Sequence, residues 1–149
     1  MLNKQEIFSA CGAALEEKIQ ALRTSLNELE SDSQNDSKSS AGDKHETARA
    51  MMQLEQEKLS AQLRELLEQK VFLENIDPSI NSSEIVKGSV VETDRGVLFL
   101  SIAISKIVAG NSNVICISPV SPLGSKLLGK KAGDIVSVNN TSYTIKTVS

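Results

Sequence analysis

Tryptophan is absent from this 149-residue chain, tyrosine occurs once and phenylalanine three times; cysteine, histidine and proline number two, one and three. Each shortage excludes something. With 3% aromatic residues, binding of single strands by base stacking is not expected, because that mode depends on aromatic platforms. Cys11 and Cys116 stand far apart, which excludes a disulfide framework and a cysteine-rich zinc site. The single histidine, His45, excludes a His-rich metal centre and leaves a Ser-His triad unsupported. Apolar runs are short, as at 97–100, and none nears the ~20 residues of a membrane helix. The first residues lack the charged-then-apolar layout of a secretory signal, so a cytoplasmic protein with no membrane partner is expected. A net charge of −3 gives no ground for bulk electrostatic binding to DNA. What is present, 40% hydrophobic residues, suffices for one ordinary domain or two small ones.

The chain changes grammar near its middle. Residues 1–77 carry 15 acidic and 9 basic side chains, a net −6, whereas residues 78–149 carry 4 and 7, a net +3. The first part is rich in Leu, Glu, Gln, Lys and Ala, which favour helix, and Pro78 is its first proline. The second is rich in Val, Ile, Ser, Thr and Gly, which suit short strands and turns. Asn75-Ile76-Asp77-Pro78-Ser79 reads as a helix stop and linker, dividing a domain at 1–77 from one at 78–149.

Phe8, Cys11, Leu15, Ile19, Leu22, Leu26 and Leu29 recur at spacings of three and four, a narrow apolar seam of the coiled-coil kind. A second seam runs through Ala48, Met52, Leu59, Leu63, Leu66 and Leu73, broken at Glu55. Between them, residues 31–42 have no apolar period and strong turn chemistry. An antiparallel helical hairpin follows, with a tip loop near 31–46 and arms that give a rod roughly 45 Å long. On patterning alone, such a rod also reads as a dimerisation or packing coiled coil.

Beyond residue 78, strands are expected at 84–92, 97–105, 114–118, 134–138 and 143–148. Asp94-Arg95-Gly96 and Val138-Asn139-Asn140-Thr141 supply hairpin turns. Residues 121–128 read as one short helix. The fold class is α+β: a helical hairpin and a small β-rich domain.

Two segments invite chemistry. Residues 124–131 nearly spell a phosphate-binding P-loop, but Lys131 stands where Ser or Thr would hold magnesium, and a turn follows instead of a long helix. A short helix ended by Gly129 is the better reading. In Gly42-Asp43-Lys44-His45-Glu46, Asp43 as N-cap and Glu46 at N3 resemble a capping box. The same two acids, one turn apart, could instead present oxygen ligands to a hard cation such as magnesium, with further ligands from a partner. His45 reads as a solvated neighbour.

Ser121-Pro122-Leu123-Gly124-Ser125-Lys126-Leu127-Leu128-Gly129-Lys130-Lys131-Ala132-Gly133-Asp134-Ile135-Val136 resembles the C-terminal signature of the bacterial Gre-type (GreA and GreB) transcript cleavage factors. Lys87-Gly88-Ser89-Val90-Val91 and Tyr143-Thr144-Ile145 are similar to parts of that family's FKBP-like domain, and Gly42-Asp43-x-x-Glu46-x-Ala48 to its acidic tip. The resemblance implies a monomeric transcription elongation factor whose rod enters the secondary channel of RNA polymerase. The β-rich domain docks at the entrance through Ser121, Pro122, Leu123, Gly124, Gly129, Lys130, Lys131, Gly133 and Asp134. Asp43 and Glu46 would be the catalytic carboxylates and the metal ligands, sharing magnesium with the polymerase and meeting the backtracked RNA 3′ end only through it. That metal orients a water for attack on the phosphodiester. The chain would bind no cofactor alone and have no active site of its own. Departures are the position near Ala50, where the family has an aromatic, the long serine-rich loop and the acidic hairpin. They keep open a regulator that occupies the channel without cleavage, and a structural coiled-coil adaptor. Prolyl isomerase activity is not expected, because only Phe99 and Tyr143 could line its apolar pocket.

Overall fold

The computed structural model describes residues 2–36, 42–104 and 106–149, with side chains of residues 33–36 and 42–45 set aside. Two long helices precede a mixed six-stranded sheet: α1 (Lys4–Asp36), α2 (Gly42–Glu74), β1 (Val90–Thr93), β2 (Gly96–Leu100), β3 (Lys106–Ala109), β4 (Ser112–Ile117), α3 (Pro122–Leu127), β5 (Ile135–Val138) and β6 (Thr141–Val148). This is the expected α+β layout. Among the described residues, no helix is long and apolar enough to cross a membrane. The chain divides into two compact units, Met1–Leu15 with Gln69–Ser149, and Glu16–Glu68. The expected boundary at residue 77 thus falls inside the first unit, because the roots of both helices pack with the sheet.

Both helices run further than the turn chemistry of residues 31–42 suggested. Residues 31–36 continue α1 and Gly42 already belongs to α2, while residues 37–41 of the expected loop lie outside the described residues. Adding a residue to an existing helix needs no new nucleus, so polar residues of middling propensity can extend it. At the other end, Asn3 caps α1: its Oδ1 accepts from the Glu6 amide at 3.2 Å. In the unit of residues 16–68, Leu22, Leu26 and Leu29 on α1 and Met52, Leu59, Leu63 and Leu66 on α2 are half-buried, while Glu55 is exposed. Leu29 and Met52 line one recess, which places the two arms side by side as a hairpin.

In the other unit the strand order is β3-β4-β2-β1-β6-β5. Only β2 and β4 pair in parallel; the remaining neighbours are antiparallel. The expected turns form where Asp94-Arg95 joins β1 to β2 and Asn139-Asn140 joins β5 to β6. Both asparagines have positive φ, 51° and 65°, the twist of a two-residue hairpin loop. The strand expected at 97–105 ends at Leu100, and β3 is a separate strand that the sequence reading missed; Ser105 lies outside the described residues.

The sheet is covered on both faces. Val91, Leu98, Leu100, Val136 and Ile145 join Ile85 and Leu127 of α3 in one buried cluster, with Leu123 against it. The alternate residues Val90, Phe99, Val114 and Cys116 are buried on the opposite face. There the root of α1 supplies Cys11, whose sulfur lies 3.6 Å from that of Cys116. Ile7, Cys11 and Leu15, four residues apart, are at most 1% exposed. Each large side chain so buried contributes about 1.5–3 kcal/mol.

Candidate functional site

The hairpin acids occupy the start of α2. Because α2 opens at Gly42, Asp43 lies inside its first turn and not ahead of it as a cap. Its side chain and that of His45 lie outside the described residues. Glu46, one turn on, is exposed, as are Arg49 and Ala50. Two carboxylates are fewer oxygen ligands than magnesium takes. Among the described residues no group of three or more His, Cys, Asp or Glu side chains is placed to hold a metal ion. The unit of residues 16–68 carries 12 acidic and 7 basic side chains, a field that favours cations.

Residues 121–134 form a tightly hydrogen-bonded segment against the sheet. Ser121 caps α3, its Oγ accepting from the Gly124 amide at 3.0 Å and donating to the Ser118 carbonyl at 2.6 Å. Pro122 takes the first turn, where no amide donor is needed. Gly124 is buried so close to the Ser118 carbonyl that any Cβ would collide with it. Gly129, at φ +83°, ends the helical segment and donates to the Ile85 carbonyl at 2.8 Å. The Lys130 carbonyl accepts from the Ile85 amide at 2.8 Å. The Lys131 amide donates to Asp134 Oδ2 at 2.8 Å, and the Lys131 ammonium pairs with Glu84 at 3.4 Å. Gly133, at φ +96°, donates to the Ile145 carbonyl at 2.8 Å. Most of the nine residues assigned to docking thus shape this segment. Its exposed charged residues are Lys126, Lys130, Lys131 and Asp134.

A recess of about 320 Å³ lies where the helix roots meet the chain entering β1, lined by Phe72, Ile76, Ile80 and Val86 with Lys4 and Lys87. Lys4 Nζ donates to the Ile80 carbonyl at 2.7 Å. Burial lowers its pKa, partly opposed by Asp77. Asp77 Oδ1 accepts from Ser79 Oγ at 2.6 Å and from the Ser79 amide at 2.9 Å. These bonds, with a smaller effect of Lys4, hold the Asp77 carboxyl below its ordinary value. Lys87 lies 5.8 Å from the centre of the Phe72 ring.

No protein-family model matches the chain, and no curated protein does. Among solved structures, GreA factor homolog 1 of Thermus thermophilus is 20% identical with a TM-score of 0.38, over 93% of this chain and 94% of that one. A structure described as the transcription factor Gfh1 is also 20% identical, with a TM-score of 0.37 and 93% of each chain covered. Likenesses of this size carry no functional argument.

Sequence reasoning missed the root recess and the thiol pair. Nothing in the spacing of Lys4, Phe72 and Lys87 marks the recess, since three separate segments build it. Cys11 and Cys116 are distant in sequence, yet the fold brings both into one buried contact, with Ser101 Oγ 3.9 Å from the Cys11 sulfur.

Proposed function

We propose that the chain is a Gre-type transcription elongation factor, cytoplasmic and monomeric, that reaches RNA polymerase through its secondary channel and stimulates cleavage of backtracked RNA. The observation that supports this most is the pair of acids in the first turn of α2, beside the reversal of a helical hairpin. From Glu16 to Asp36 the α1 arm of its unit has 21 residues, a reach of about 30 Å. A hairpin that serves only to pack has no need of acids at that end. Asp43 and Glu46 would hold magnesium together with groups of the polymerase. A metal so held supplies an activated water and neutralises charge on the phosphate. The chain's own contribution is then to deliver two carboxylates and orient them. The β-rich unit, with its signature segment 121–134 and its net positive half of the chain, would dock outside.

The test is a backtracked elongation complex incubated with magnesium and the protein. Wild type is expected to shorten the transcript at least tenfold faster than Asp43→Ala/Glu46→Ala; equal rates refute stimulated cleavage. Exposed Ala50, where the family has an aromatic, favours a second reading, a regulator that occupies the channel without cleavage. That reading expects polymerase binding and altered elongation, with no dependence on the two acids.

A further inference from the structure

The two cysteines of the chain meet inside the sheet-bearing unit. Cys11 projects from the root of α1, and Cys116 from β4 on the sheet face that this root covers. Both are buried, at 0% and 4% exposure, and their sulfurs lie 3.6 Å apart although 105 positions separate them in the chain. Neither takes part in the proposed action on RNA polymerase. Two thiols in van der Waals contact need close by only about 1.5 Å to reach the ~2.05 Å of a disulfide bond, a displacement within reach of small side-chain rotations.

We propose that Cys11 and Cys116 are a redox-responsive pair, which a peroxide converts into an intramolecular disulfide that fastens the root of α1 to β4. The Cys11 thiolate attacks one peroxide oxygen, forming an S–O bond as the O–O bond breaks; the other oxygen leaves as hydroxide, which takes up the proton Cys11 released and becomes water, and Cys11 is left as a sulfenic acid. Cys116 sulfur then attacks the Cys11 sulfur, and the hydroxyl leaves with the Cys116 proton as water. In total, two thiols and one hydrogen peroxide give one disulfide and two waters. The geometry assigns the roles. The Cys116 S–H donates to the Cys11 sulfur, so Cys11 ionises more readily than an ordinary thiol despite its burial, with Ser101 assisting. Cys116 keeps its proton correspondingly longer, because of that bond and its burial. Burial slows access of the oxidant, so the reaction proceeds through local opening of the α1 root.

The experiment treats the full-length reduced protein with hydrogen peroxide and then alkylates the denatured product with iodoacetamide. Because no other cysteine is present, intact mass is unambiguous. Expected are a monomer lighter by two hydrogens, no alkylation, a Cys11–Cys116 cross-linked peptide, and a Tm raised by about 5–15 °C that dithiothreitol restores. Cys116→Ser, oxidised in parallel, is expected to show neither the mass loss nor the Tm rise. Two alkylatable thiols after a treatment that fully oxidises a cysteine peptide would overturn the proposal. So would sulfinic acid or chain-to-chain dimers as the main product. Both outcomes are read on the wild type, so a poorly folding variant does not obscure them.

Discussion

Gly124 and Gly129 stand five residues apart in one segment and serve it differently. At Gly124 the constraint is space, since a Cβ would strike the Ser118 carbonyl that Ser121 Oγ also engages. At Gly129 the constraint is the backbone, whose φ of +83° disfavours L side chains while the space beside it is open. Gly124→Ala must therefore displace the helix cap and is expected to cost about 2–3 kcal/mol. Gly129→Ala strains one residue and should cost about 1 kcal/mol. Urea titrations of the two variants check the order; equal midpoints would deny the close packing at Gly124. Asp77 gives a pH prediction. Its folded pKa lies below the unfolded value, so its ionised form stabilises the fold above about pH 4. That contribution disappears as pH falls through the folded pKa. Asp77→Asn should accordingly lose stability less steeply than wild type on acidification from about pH 4 down through the folded pKa, measured as Tm against pH. Matching acid limbs would show that the Ser79 bonds to Asp77 do not matter.

At the scale of elements, what could be read from the residues was local. The seams of α1 and α2, the short helix within residues 121–128 and the Asn139-Asn140 loop each act over a few positions, and each appears where the pattern placed it. The Asn139-Asn140 loop also supports a prediction. Asn140→Val should cost about 1–2 kcal/mol because a β-branched residue resists positive φ. Asn140→Gly should stay within about 0.5 kcal/mol of wild type. Thermal melts of the pair decide it, and two equal losses would place the loop's importance elsewhere. The separate strand β3 was missed because residues 97–105 were read as one run. The alternation of Lys106–Ala109 before Gly110-Asn111, with Gly110 at φ +60°, is the turn signal that could have found it. The parallel pairing of β2 with β4 could not be read, since nothing in either strand names a partner across an intervening hairpin. The same holds for Cys11 and Cys116, whose meeting depends on a whole sheet and the helix laid across it.

For the whole molecule, the charge split read at the outset acquires a use. An acidic hairpin is a poor surface for RNA but a suitable carrier of metal-binding oxygens, and the net positive part lies in the chain that follows it. Of the residues the signature marked for docking, structure accounts for the glycines, Ser121 and Pro122 as makers of the turn, while Lys130 and Lys131 are exposed. The central claim is that Asp43 and Glu46 lend their oxygens to a metal of RNA polymerase, and the magnesium dependence of transcript cleavage tests it most directly. Cleavage by a backtracked complex would be measured across magnesium concentrations with no factor, with wild type, and with Asp43→Ala/Glu46→Ala. The account expects wild type to lower the magnesium needed for half-maximal cleavage severalfold. The double variant should leave it at the factor-free value while competing with wild type for the polymerase. A double variant that lowers the requirement as far as wild type does would contradict the account.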